Sequence, residues 1–122
     1  MQEVDALDAA ADAVPLLTMH SAKGLEFPVV FIVGMDEGLF PRSEGRHSLA
    51  EERRLFYVAL TRAMRVVVLS RATWRTREAG PVQFARSPFV REIPHHLLRP
   101  IEAAADIATS WLEPAAASAP AA

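Results

Sequence analysis

Two unbroken apolar runs, Val29 to Val33 and Val66 to Leu69, flank a stretch from Leu49 to Met64 in which Phe56, Ala59, Leu60 and Ala63 recur at i, i+3, i+4 and i+7. Continuous β-branched runs of this length predict strands covered on both faces, as in a parallel sheet, and the intervening period is that of a helix with one apolar face. A shorter run at Leu16-Leu17 adds a further strand. The expectation is therefore an α/β fold with a three-stranded, mainly parallel sheet and flanking helices. Sheets usually hold ~5–6 strands, so this is a partial domain, and its open edges would expose pairing groups that strands from elsewhere must cover.

The punctuation of the chain supports that order. Ser48 and Glu51 make a capping box at the start of the long helix, with Glu51 and Glu52 in the first turn, where the positive end of the macrodipole favours acids. Ser87 as cap and Pro88 at the first position open a short second helix, which Pro94 stops. Ile101 to Leu112 predicts a third helix. Leu39 to His47, rich in Pro, Gly, Ser and charge, reads as an exposed loop. Residues 1–13 form an acidic linker, residues 14–100 the folded unit, and residues 101–122 a helix followed by an Ala/Pro-rich tail.

With 122 residues, 51% apolar content and 23% charge, one modest core is expected. The chain has no cysteine, so disulfides and thiolate zinc sites are excluded. The five-residue run at Val29 to Val33 is far short of the roughly 20 residues of a membrane span, and the acidic start lacks the basic residues of a secretory signal. A soluble, intracellular protein is expected, with no membrane partner. The net charge of −2 hides an asymmetry: all 13 Lys+Arg lie between residues 14 and 100, against eight acids there, for a local net of +5. A phosphate-binding surface belongs in that middle, although a solvated face carries the same signature.

Two clusters carry chemistry. Thr18-Met19-His20-Ser21-Ala22-Lys23-Gly24-Leu25-Glu26-Phe27 gathers hydroxyl, imidazole, ammonium and carboxylate after the short apolar run. The C-terminal end of a strand is where open α/β sheets bind ligands, although each residue taken singly also suits a turn. Lys23 is the one lysine among 13 bases, which suits a task for a compact ammonium. On the helix, Arg54, Val58 and Arg62 follow one line at steps of four, so two guanidinium groups flank an apolar residue. Such arginines are either solvated or fitted to phosphate oxygens.

Thr18 to Phe27 resembles motif V, and Glu51-Glu52-Arg53-Arg54-Leu55-Phe56-Tyr57-Val58-Ala59-Leu60-Thr61-Arg62-Ala63 resembles motif VI, of the UvrD, PcrA and Rep helicases. The joining segment from Pro28 to Pro41 and the stretch from Ser87 to Pro94 are also similar, so the resemblance covers residues 14–98. It implies a motor of two RecA-like domains that closes on ATP and moves 3′ to 5′ along single-stranded DNA, in repair or replication. This chain would form part of the second domain. By resemblance Glu26 accepts from the ribose hydroxyls and Arg62 reaches the γ-phosphate as an arginine finger. Lys23 and Gly24 belong to the nucleotide side, while Thr18, His20 and Ser21 face DNA. The implied partners are single-stranded or 3′-tailed duplex DNA and the remainder of a UvrD-like helicase.

No Gly-x-x-x-x-Gly-Lys-Ser/Thr occurs, and Ala22-Lys23-Gly24 has the order reversed. Asp36-Glu37 follows an apolar strand, as a Walker B pair would, but Gly34-Met35 intervenes and the resemblance places the pair in a turn. The ligands for magnesium and the catalytic carboxylates are thus expected outside this chain, which alone should not hydrolyse ATP. Two other readings stay open: a non-catalytic module that binds nucleic acid or a helicase partner, and an inactive remnant.

Overall fold

The computed structural model describes residues 12–42 and 48–101. Strand β1 (Phe27–Ile32) is followed by a turn, and helix α1 (Leu49–Leu60) leads into strand β2 (Ala63–Leu69). β1 and β2 pair in parallel, with Val30 opposite Val67 and Ile32 opposite Leu69. Those four residues share the face that packs on the core, because alternate residues of a strand point the same way. On the other face Val68 is buried, whereas Phe31 is 48% exposed. Burial on both faces, expected from the unbroken runs, is thus only partly realised among the described residues.

The expected three-stranded parallel sheet is not what forms there. Leu16-Leu17 is not in a strand: Val14 and Leu16 are 82% and 92% exposed, and no described strand lies beside them to accept their backbone bonds. Instead, strands β3 (Trp74–Arg77) and β4 (Gly80–Gln83) make a separate antiparallel hairpin, with Trp74 opposite Gln83 and Arg77 opposite Gly80. Glu78-Ala79 closes it, and Gly80 takes φ of +114°, which a side chain would oppose.

Helix α1 starts where the capping box places it. Ser48 Oγ accepts from the Glu51 amide at 3.2 Å, and Glu51 Oε2 accepts from the Ser48 amide at 3.2 Å. The helix stops at Leu60 rather than Met64, because Thr61 caps it and Ala63 and Met64 already belong to β2. Ser48→Ala is expected to lower stability by about 1 kcal/mol, read as a lower midpoint of thermal unfolding; an unchanged midpoint would mean that the box is ornamental.

Glu52, Phe56 and Ala59 form the buried stripe of α1. Phe56 stacks on Phe89 with centroids 5.7 Å apart, and Phe40 meets both rings edge-on at 6.1 and 5.2 Å. Phe89 comes from helix α2 (Pro88–Glu92), which begins at the Ser87 cap and ends before Pro94 as expected. Ser87 is fully buried, and its hydroxyl donates to the Phe40 carbonyl at 2.6 Å, fastening the loop to the helix cap. The stretch from Leu39 is therefore not simply an exposed loop, since Phe40 is half-buried in the core. Buried Glu52 is satisfied by the Arg42 amide, at 3.3 and 3.1 Å from its two oxygens. Chain continues through a 3₁₀ turn (His95–Leu97), and the predicted helix from Ile101 to Leu112 falls, beyond its first residue, outside the described residues. None of the described helices is long and apolar enough to cross a membrane.

Arg53 clasps α1 to α2 through a paired contact with Glu92 at 3.0 and 2.7 Å. That hydrogen-bonded contact holds the Glu92 carboxyl below its ordinary pKa, so the small stabilisation of this exposed pair is present above the ordinary carboxylate range and fades as pH falls through the lowered value.

Candidate functional site

The segment from Thr18 to Phe27 runs alongside the sheet and delivers its polar groups to two places. Thr18 and Ser21 close a tight turn between themselves. The Thr18 hydroxyl donates to Ser21 Oγ at 2.9 Å, Ser21 Oγ donates to the Thr18 carbonyl at 3.0 Å, and the Ser21 amide donates to Thr18 Oγ1 at 3.1 Å. The backbone continues the turn, with the Ala22 amide on the Thr18 carbonyl at 3.2 Å. Side chains of this kind bond their own backbone readily, which is why the segment leaves extended geometry at Thr18. His20 then opens onto a cleft of about 440 Å³, lined also by Met19, Val33, Gly34, Arg42 and Glu52. That cleft lies just beyond the C-terminal end of β1.

Gly24 turns the chain with φ of +83°, and nothing stands within 4 Å of where a Cβ would be, so backbone conformation alone selects glycine there. Lys23 and Glu26 are exposed. The Phe27 amide donates to the Arg62 carbonyl at 2.9 Å, and Phe27 pairs with Ala63, so Glu26 and Arg62 enter the two parallel strands side by side. The four groups expected to gather at one strand end are therefore divided. His20 is at the C-terminal end of β1, while Glu26 and Arg62 are at its N-terminal end. A strand of six residues separates them, roughly 20 Å at the usual rise.

The alignment of Arg54, Val58 and Arg62 along one helical line also changes. Arg62 lies beyond the helix end, and its side chain folds back so that Nε donates to the Val58 carbonyl at 3.2 Å. Nη1 donates to the Leu25 carbonyl at 3.1 Å and Nη2 to Thr61 Oγ1 at 3.2 Å. The guanidinium is half-buried and joins the Gly24 turn to the end of α1. Thr61 has no sequence signal except its place directly before Arg62.

Asp36 lies in the turn that follows β1, where its carbonyl accepts from the Leu39 and Phe40 amides. It is fully buried, and Oδ2 accepts from Arg75 Nη2 at 2.7 Å, tying the hairpin to the turn after β1. Among the described residues its Oδ1 and Arg75 Nε have no partner, so the pair is charge-matched but incompletely bonded there. Asp36→Asn is expected to cost about 1–3 kcal/mol, with water screening the partly exposed Arg75, and to speed amide exchange in β3 and β4 more than in α1. Equal exchange throughout would mean that Asp36 does not tether the hairpin. Among the described residues no three His, Asp or Glu side chains come together as a metal site. At the N-terminal end of the β1–β2 pair Glu26 offers an exposed acceptor and Arg62 a half-buried set of N–H donors.

A family model described as the UvrD-like helicase C-terminal domain matches residues 1–73. An ATP-dependent DNA helicase PcrA from Staphylococcus aureus (strain MRSA252) is 50% identical over 101 residues, 79% of this chain and 14% of that protein. The helicase of the same name from S. aureus strain Mu50 / ATCC 700699 is 48% identical over the same shares, and that from Staphylococcus epidermidis strain ATCC 12228 / FDA PCI 1200 is 46% identical. The chain thus spans 14% of the length of the relatives it matches.

Proposed function

The chain belongs to the family of UvrD-like helicase C-terminal domains, and from that premise we propose that it forms part of the second RecA-like domain of an ATP-dependent DNA helicase. The observation that carries this reading is the placement of Glu26 beside Arg62 at one end of the β1–β2 pair, with the His20 turn at the other. One end then serves nucleotide and the other DNA. Glu26 presents an exposed carboxylate that accepts from ribose hydroxyls. Arg62 turns its guanidinium toward the γ-phosphate across a cleft whose opposite wall, with the P-loop, is supplied by the remainder of the helicase. ATP, when bound, provides the phosphoryl transfer that drives the motor.

Arg62 stabilises the charge that develops on the phosphoryl oxygens, the role a permanently charged planar fork performs best. Gly24 sets the turn that aims Glu26, and Lys23 adds positive charge beside it. Thr18, His20 and Ser21 face single-stranded DNA, or the tail of a 3′-tailed duplex. The motor moves 3′ to 5′ and acts in repair or replication in the cytoplasm.

The test is ATP turnover with single-stranded DNA when the purified chain is mixed with a separately expressed first half of a UvrD-like helicase. The chain alone is expected to be silent, and the mixture active. A silent mixture, with the chain unfolding cooperatively on its own, would favour the non-catalytic binding module. A salt titration then identifies its ligand: affinity for single-stranded DNA falls with a log–log slope near −0.7 per phosphate contact.

A further inference from the structure

Thr61 sits between the end of α1 and Arg62, and its hydroxyl is used twice. Its proton goes to the Val58 carbonyl at 2.9 Å, while its oxygen accepts from Arg62 Nη2 at 3.2 Å. The same Val58 carbonyl accepts from Arg62 Nε at 3.2 Å, so hydroxyl, carbonyl and guanidinium form a closed triangle. A hydroxyl has one proton and two acceptor positions. A guanidinium has no acceptor, so Thr61 Oγ1 meets Arg62 as an acceptor, and with its proton on the Val58 carbonyl its lone pairs are left to receive Nη2. From the other side the Leu25 carbonyl holds Nη1 at 3.1 Å.

We propose that Thr61 is a positioning residue for Arg62, orienting the guanidinium without touching nucleotide itself. The proposal rests on the reading of Arg62 as the group directed at phosphate. Of the five N–H donors of a guanidinium, Nε and one hydrogen on each terminal nitrogen are taken by Val58, Thr61 and Leu25. One hydrogen remains on each terminal nitrogen, the number a bidentate phosphate contact uses. An arginine side chain is rich in rotamers, and ordering it before phosphate arrives removes that entropy loss from the chemical step. Leu25 directly precedes Glu26, so the clamp that orients the guanidinium also sets its relation to the carboxylate.

Thr61→Val deletes the hydroxyl at nearly constant shape, and Thr61→Ser retains it. On the isolated chain, arginine-labelled ¹⁵N NMR should show the Arg62 Nε–H protected from exchange in the wild type and in Thr61→Ser. In Thr61→Val the Nη2 bond is lost, the guanidinium leaves the Val58 carbonyl more often, and Nε–H exchange should be faster by about five- to tenfold, the factor by which one lost hydrogen bond of ordinary strength shifts that opening. In the reconstituted ATPase, Thr61→Val should lower kcat by roughly tenfold with KM for ATP near the wild-type value, and Thr61→Ser should restore it, because orientation matters only as charge develops. Equal Arg62 exchange in all three proteins would overturn the proposal, as would full turnover by Thr61→Val in an active mixture. A mixture silent even with wild-type chain would defeat the reading of Arg62, while the exchange comparison would still decide whether Thr61 orients the guanidinium.

Discussion

Replacing Arg62 by alanine is expected to lower DNA-stimulated ATP turnover in the reconstituted helicase by on the order of 10³- to 10⁵-fold. The chain itself should survive the change. Arg62 makes its three bonds to Val58, Leu25 and Thr61 at a half-buried position, and the loss should cost about 1–3 kcal/mol, each kcal/mol a fall of about 4–8 °C in the unfolding midpoint. Catalysis and stability therefore separate. Arg62→Lys sharpens the result, because an ammonium keeps the charge but is a single point of donors on a flexible stem. It cannot hold the two carbonyls and the hydroxyl in one plane, so little turnover should return. Retention of turnover within tenfold by Arg62→Ala would show that charge on the phosphoryl is met from elsewhere.

The second large effect is structural. Phe89→Ala should destabilise the chain by about 3–5 kcal/mol, a large share of the roughly 5–15 kcal/mol that holds a domain together. Phe89 is 1% exposed, stacked on Phe56 and met edge-on by Phe40, with the Arg53 guanidinium 5.5 Å from its ring centre. Its removal leaves a hole bordered by a loop, α1 and α2 together, so no single element can move in to fill it. Phe89→Leu keeps much of the volume and should recover most of the loss. Denaturant unfolding followed by circular dichroism gives both values, and a cost under about 1 kcal/mol for alanine would place the core elsewhere.

The parts of the fold that were legible in the sequence are those set by neighbouring residues. Ser48 with Glu51, and Ser87 with Pro88, act within one turn of chain, and both helices begin where those residues place them. Val29 to Val33 and Val66 to Leu69 announced strands because β-branched runs suit little else. Leu16-Leu17 is apolar without β-branching and forms no strand, since a strand is completed by a partner and not by its own composition. The hairpin from Trp74 to Gln83 gives little sequence signal because its strands are four residues each, β3 half arginine and β4 opening on Gly80-Pro81, although the turn at Glu78-Ala79-Gly80 is a usable sign. Among the site residues, the order along the chain was plain, but their distances were not. Thr18 to Glu26 reads as one cluster; only the course of the backbone beside β1 reveals that His20 and Glu26 stand at opposite ends of a strand. Asp36 and Arg75 illustrate the limit, for nothing local joins residues 39 positions apart.

Only Thr61 and Arg62 separate the last residue of α1 from the first of β2. So short a tether stores no slack. If α1 shifts along or about its axis, neither residue can absorb the movement by uncoiling, and the guanidinium must travel with the helix end while Ala63 stays registered against Phe27. Displacement of the helix end would therefore reorient this one cation directly. Lengthening it by a single residue would supply the missing play where the junction takes the residue up; where β2 slips in register instead, Val67 and Leu69 would turn away from the core.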